Sequence, residues 1–163
     1  MADDTKAEEQ KEKQEEKKAF KKDYIFAVGK RKESVARLRL YQTIKDTLIF
    51  SGEKTKKGEI FVNNKKIEDY FSGEVARAKY LEPLKLTNNL DKYVLTFRVE
   101  GGGMSGQLDA VIHALSRALS LMDVKNRKIL KKKGLLTRDA RVRERRKVGM
   151  GGKARRKKQS PKR

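Results

Sequence analysis

The chain reads as an α+β domain followed by a long basic tail, and three observations predict it. Short runs that alternate apolar with polar residues, or are β-branched and aromatic throughout, recur between residues 24 and 99. A single longer stretch from Leu108 repeats apolar residues at helical spacing. The excess positive charge then gathers in the last quarter of the chain. Strands followed by a long amphipathic helix predict one small sheet covered by helices on one face.

Residues 1–22 hold seven acids and seven bases, with pairs such as Glu9 and Lys13 at helical spacing. They have no apolar face to bury, which predicts a charged, disordered extension. The domain is expected over residues 23–124. Tyr24–Gly29 is a strand-like run ended by glycine, and Val35–Tyr41 alternates apolar residues with Arg37 and Arg39, as a strand with one wet face should. Thr47–Gly52 predicts a further short strand and Lys54–Gly58 a charged turn. Glu59–Val62 predicts a strand, with Asn63-Asn64 turning after it. Lys66–Phe71 and Val75–Leu81 read as short helices, the second stopped near Pro83. Tyr93–Val99 is the strongest strand. The helix expected from about Ser105 to Leu121 should pack through Leu108, Ile112, Leu115 and Leu119, leaving Asp109, His113, Ser116, Arg117 and Ser120 on its polar side. Residues 125–163 are expected to form a basic helix and an extended tail with too little apolar surface to pack.

Composition narrows the chemistry. Of 163 residues, 43 are Lys or Arg and 22 Asp or Glu, a formal net charge of +21. Residues 125–163 carry 19 of those bases against Asp139 and Glu144 alone. Such a run repels itself strongly unless an anionic partner neutralises it. Nucleic acid fits better than a membrane surface, which would want bulky apolar residues opposite the cations. Composition leaves RNA and DNA both open. With no cysteine and one histidine, neither a thiolate metal site nor a histidine-built zinc site can form. No run of eighteen apolar residues is present, so no membrane span is expected. The first residues lack the pattern of a signal or transit peptide, and the cytosol is the expected compartment.

Gly101-Gly102-Gly103-Met104-Ser105-Gly106 follows a strand, opens a helix and matches the dinucleotide pattern, with Asp123 about twenty residues on. A dinucleotide fold needs a second buried strand after the helix, and Lys125–Lys133 cannot supply one. Gln107-Leu108 stands where a P-loop needs lysine and a hydroxyl. The loop is therefore expected to be a turn whose backbone N–H groups could approach a phosphate without catalysis. His113 has no second histidine, cysteine or evident catalytic partner, and reads as a polar-face residue beside Arg117 that could touch RNA. No enzyme is visible and no cofactor is expected. The basic groups Lys30-Arg31-Lys32, Lys131–Lys133, Arg141–Lys147 and Lys153–Lys158 remain as candidate phosphate contacts.

Four strings taken together resemble ribosomal small-subunit protein nine of the bacterial type. They are Gly29-Lys30-Arg31-Lys32-Glu33-Ser34-Val35-Ala36-Arg37, the Gly101–Gln107 loop with its helix, Gly134-Leu135-Leu136-Thr137-Arg138-Asp139-Ala140-Arg141, and Lys153-Ala154-Arg155-Arg156 up to the terminal Lys162-Arg163. The resemblance spans about residues 23–163, with the extension outside it. It departs at Gln42–Lys57, longer than the family's turn, at Gly151-Gly152, and at Gln159–Arg163, where Pro161 enters and the family's aromatic residue is missing. It implies a fold like the second domain of ribosomal protein S five, and a place in the head of the small subunit against ribosomal RNA and neighbouring ribosomal proteins. By this resemblance Lys30, Arg31, Lys32, Arg37, Arg138, Arg141, Lys153, Arg155 and Arg156 would bind ribosomal RNA. Lys162 and Arg163 would reach the anticodon arm of the peptidyl-site tRNA. Two readings from other classes stand beside it: a histone-like DNA-compacting protein, and a nucleotide-dependent enzyme using the glycine loop. Binding to duplex DNA and RNA at matched salt separates the first; titration with ATP or NAD tests the second.

Overall fold

A computed structural model describes residues 24–42, 49–50 and 53–145, with side chains for 24–42 and 55–145. Strands β1 (Tyr24–Arg31) and β2 (Ser34–Tyr41) form an antiparallel hairpin. The turn residue Lys32 sits at φ 50. Two-residue strands β3 (Ile49–Phe50) and β4 (Glu53–Lys54) pair apart from the main sheet, so only part of the expected Thr47–Gly52 strand lies among the described residues. The turn before the next strand is present, closed by the Glu59 N–H on the Lys56 carbonyl at 3.3 Å. β5 (Ile60–Val62) and β6 (Lys65–Lys66) are joined by Asn63 and Asn64 at φ 47 and 66. Positive φ at both central residues is the hairpin turn that matches strand twist, and asparagine tolerates it better than most residues.

Helices α1 (Ile67–Tyr70) and α2 (Glu74–Leu86) carry the chain over to β7 (Val94–Glu100), which runs parallel to β5 and antiparallel to β2. The sheet order is β1-β2-β7-β5-β6. Helices α3 (Met104–Met122) and α4 (Val124–Lys132) follow. The observed fold is α+β, a five-stranded sheet with helices, as the alternation and helical spacing predict. The tail expected beyond it falls mostly outside the described residues, as does the extension at 1–22.

Cross-strand rungs on the inner side explain the core. Ile25, Leu40, Leu95 and Ile60 form one rung; Ala27, Leu38, Phe97 and Val62 the next; Gly29, Ala36 and Val99 the third. The third rung is small at its β1 end, and α3 comes closest there. A Cβ on Gly29 would lie 2.0 Å from the Ala110 carbonyl oxygen and 2.4 Å from the Ala114 nitrogen. Leu108, Val111, Leu115 and Leu119 of α3 fill the rest of the core. After α3 the packing continues, since Leu130 of α4 is fully buried and Leu135 and Leu136 lie against the same cluster.

Three expectations need correction. Helix α2 does not stop before Pro83 but runs three residues past it. The missing N–H and ring clash cost ~3 kcal/mol. Tyr80, Pro83 and Leu84 are all buried, at ~1.5–3 kcal/mol for each large side chain, which outweighs that cost. Ser116 is buried rather than on the wet side, with its hydroxyl donated to the Ile112 carbonyl at 2.8 Å. Ile112 is only partly buried, because the alanines at 110 and 114 face β1 instead.

The close approach at Gly29 makes a direct test. Gly29→Ala is expected to cost ~1–3 kcal/mol, since the methyl meets backbone that cannot rotate away. Gly103→Ala, where nothing lies within 4 Å, should cost less, about 0.5–1 kcal/mol for a weaker N-cap and nothing for a clash. Urea-denaturation midpoints of the two variants check this; equal midpoints would place the helix elsewhere.

Candidate nucleic-acid interface

β1 is an edge strand, so half of its backbone groups have no strand partner. Helix α3 covers that edge with the side chains that read as its wet face. Asp109, His113 and Arg117 are one turn apart along the helix. The Arg117 guanidinium donates to the Val28 carbonyl. His113 accepts the Lys30 N–H at Nδ1 over 3.4 Å, with the Leu136 backbone close by. Asp109 pairs with Arg31 at 3.4 Å. Burial, with help from Arg117 and Arg138, holds the His113 pKa below its ordinary value. Protonating Nδ1 would also remove the acceptor for Lys30.

Arg31 is the most heavily engaged cation of the group. Its side chain is 13% exposed and lies 2.9 Å from the Asp139 carboxylate. It donates to the backbone carbonyls of Asp139 and Arg141 at 3.3 and 2.9 Å. Asp139 in turn takes two short bonds from the Arg141 guanidinium, at 3.0 and 2.7 Å, and the Arg141 N–H at 2.9 Å. The Arg141 guanidinium first, and then its N–H, hold the Asp139 carboxyl well below its ordinary value. The segment after α4 is thus fastened to the β1–β2 hairpin by a carboxylate between two arginines. Gly134, at φ 74, ends α4 and turns the chain towards this knot.

The sequence-predicted cations therefore divide into groups. Lys30, Arg31 and Arg138 meet around a cavity of about 330 Å³ that also takes in Lys79 and His113. Arg141 leaves 85% of its side chain exposed beside it, and Lys32 projects from the hairpin turn. Arg37 lies on the opposite face of the sheet, paired to Glu100 at 2.8 Å. Arg39 and Arg98 share that face, and neither was singled out as a ligand; the strict alternation of β2 was the signal for Arg39. Lys153, Arg155, Arg156, Lys162 and Arg163 lie outside the described residues. Among the described residues no cluster of three metal-ligating side chains occurs, and no helix is long and apolar enough to cross a membrane.

The glycine loop has a packing reason. A Cβ on Gly102 would fall 2.1 Å from the Ser34 hydroxyl, and one on Gly101 would fall 2.5 Å from the Glu33 carbonyl oxygen. Both glycines also hold positive φ, 73 at Gly101 and 63 at Gly102. The Gly101 carbonyl accepts from the Ser34 hydroxyl at 3.2 Å and from Gln107 at 3.0 Å. The loop is thereby fitted around the hairpin turn.

A family model described as Ribosomal protein S9/S16 matches residues 29–163. The small ribosomal subunit protein uS9 of Maridesulfovibrio salexigens is 45% identical over 131 residues, which is 80% of this chain and 91% of that relative.

Two predictions follow from the geometry. Asp139→Asn should raise the rate of trypsin cleavage after Arg138 several-fold at neutral pH, because local opening no longer breaks the arginine–carboxylate knot. In the parent, the contribution of the ionised Asp139 is fully present above its ordinary value of 3.8 and is lost progressively as the pH falls from there through the lower folded value. For His113, stability is present above its ordinary value of 6.5 and is lost as the pH falls through the lower folded value. Melting temperature should therefore decline as the pH falls below 6.5 in the parent. His113→Gln should flatten that part of the slope; identical profiles would remove His113 as its source.

Proposed function

The chain belongs to the ribosomal protein S9/S16 family, and from that premise we propose how a structural constituent of the small ribosomal subunit uses this surface. The protein is not an enzyme, and it works in the cytoplasm as part of the ribosome, beside ribosomal RNA and other ribosomal proteins. In our reading it sits in the subunit head. Lys30, Lys32 and Arg37 contact ribosomal RNA phosphates from the domain, expected at 23–124. Arg138, Arg141, Lys153, Arg155 and Arg156 do so from the basic segment 125–163. Arg31 serves the same interface by holding the 138–141 segment in place, since its donors are already engaged. Lys162 and Arg163 reach the peptidyl-site tRNA.

The observation that carries this reading is the placement of charge. Nineteen bases against two acids follow residue 124, and one of those acids is engaged in the Arg31 knot. What lies beyond the knot is almost uncompensated, and phosphate is the anion it suits. Fourteen residues follow Gly149, enough to reach at most roughly 45 Å. Phosphate contacts position a partner without reading its sequence, which suits a site that must accept every tRNA.

Removing Ser160–Arg163 is expected to weaken tRNA retention at the peptidyl site by about tenfold or more while the subunit still assembles. Filter binding of tRNA to assembled subunits, with and without the four residues and at several salt concentrations, decides the point. Equal affinity would make the tip one more ribosomal RNA anchor.

A further inference from the structure

The face of the sheet turned away from α3 carries an arrangement that stability alone does not favour. Outward residues alternate along β2 and β7, so Arg37 stands directly opposite Arg98, and Arg39 opposite Phe26 on one side and Thr96 on the other. Like charges opposite each other on neighbouring strands are destabilising. Glu100 takes both guanidiniums, at 2.8 Å each, and its carboxyl is held below its ordinary value by Arg37 first. Among the described residues one carboxylate thus faces three arginines. Beside them Phe26 leaves 46% of its surface exposed on the edge strand. The Arg39 guanidinium lies 5.2 Å from the centroid of the Tyr24 ring. Phe26, Arg37, Arg39, Thr96, Arg98 and Glu100 line an open groove of about 740 Å³, with Tyr24 just outside it.

We propose that this groove holds unpaired nucleotides of the ribosomal RNA, with a base stacked on Phe26 and the adjoining phosphates on Arg37, Arg39 and Arg98. The inference rests on the ribosomal RNA reading above and names a second surface for it. An open sheet face with exposed aromatic rings and planar cations accepts splayed bases, because every base has a flat face and guanidinium planes stack as rings do. A paired helix would use the arginines but leave Phe26 idle, since its bases are already stacked on each other. The chain's own extension is a poor occupant, having equal numbers of acids and bases. A lipid surface would want more than one exposed bulky apolar side chain beside the cations, and Phe61 and Phe97, which also line the groove, are buried.

The test uses small subunits assembled with the full chain. They are irradiated with ultraviolet light, and peptide–nucleotide adducts are mapped by mass spectrometry and normalised to incorporated protein. Base reactivity is probed chemically in parallel. An adduct between Tyr24 or Phe26 and an unpaired nucleotide is expected. Its yield should fall about fivefold or more in Phe26→Leu, with the same base becoming reactive. The Arg37→Gln, Arg39→Gln, Arg98→Gln triple variant should lose the same adduct. If residues 24–41 give no nucleotide adduct, or adducts to a neighbouring protein or to paired nucleotides only, while residues 146–163 do cross-link to RNA, the groove proposal is wrong and the ribosomal RNA reading stands. Adducts from neither segment, with unchanged base reactivity, would overturn both.

Discussion

The backbone of α3 and the backbone of β1 approach each other at Gly29 to within the space of a missing methyl group, and the rest of the domain is arranged around that contact. Only glycine can stand opposite the Ala110 carbonyl and Ala114 nitrogen at this distance. Its cross-strand partner is small for the same reason, Ala36 standing directly opposite Gly29. Farther along α3 the spacing opens, and Leu108, Val111, Leu115 and Leu119 fill it against leucines, valines and phenylalanine of the sheet. The core is therefore a wedge. Its narrow end lies under the edge strand and its wide end under the middle of the sheet. Apolar burial provides most of the driving force, but the glycine decides where the helix can sit.

Setting the helix that close brings its polar side chains over the free edge of β1. An edge strand with unpaired backbone groups invites pairing with other chains, and this one is covered instead. Arg117 and His113 satisfy Val28 and Lys30, while Asp109 turns the Arg31 guanidinium towards the segment after α4. Ser34 follows the same logic at the hairpin turn, where Gly101 and Gly102 pack around its hydroxyl. The string from Gly29 to Arg37 is in this light one mechanical unit. It supplies the helix seat, the polar seam, the fastening for the chain beyond α4, and the support of the glycine loop. The other edge is treated differently: β6 is two residues long and both are lysine.

Much of this was legible in the sequence because local chemistry and tertiary structure agree. The two asparagines at 63 and 64 sit where a tight hairpin needs positive φ, and the alternation of β2 separates Leu38 and Leu40 from Arg37 and Arg39. The illegible parts are those where a distant partner changes what a residue is for. Pro83 ends helices by its own chemistry, yet buried neighbours carry α2 through it. Asp109, His113 and Arg117 have the periodicity of a solvent face, and nothing local reveals that an edge strand lies against them. Arg31 stands between two lysines and looks like one cation of three. Its difference depends on Asp139, more than a hundred residues away, and no reading of spacing could join them. The glycine loop carried a real signal, a need for close approach, but the approaching group is Ser34 rather than a phosphate.

The acids of the last quarter show how the charge is put to use. With only Asp139 and Glu144 among nineteen bases, either acid could have softened the repulsion of the tail by a loose surface pair. Such pairs contribute little at an exposed site. Asp139 is instead placed between Arg31 and Arg141, where three donor groups and a half-enclosed setting make the interaction directional. One carboxylate then does two things. It lets Arg31 lie at 13% exposure without an unpaired charge, and it fixes the path of the chain up to Arg141. Had the acid been placed further along, Asp109 at 3.4 Å would be the one carboxylate left beside Arg31, and only backbone carbonyls would tie the segment to the hairpin. Holding the root of a strongly cationic segment to a folded body costs entropy and charge repulsion, and a neutralised contact at the root is the place where both are lowest. Repulsion between the remaining cations then acts outward from that fixed point. The uncompensated charge begins where the domain stops holding the chain.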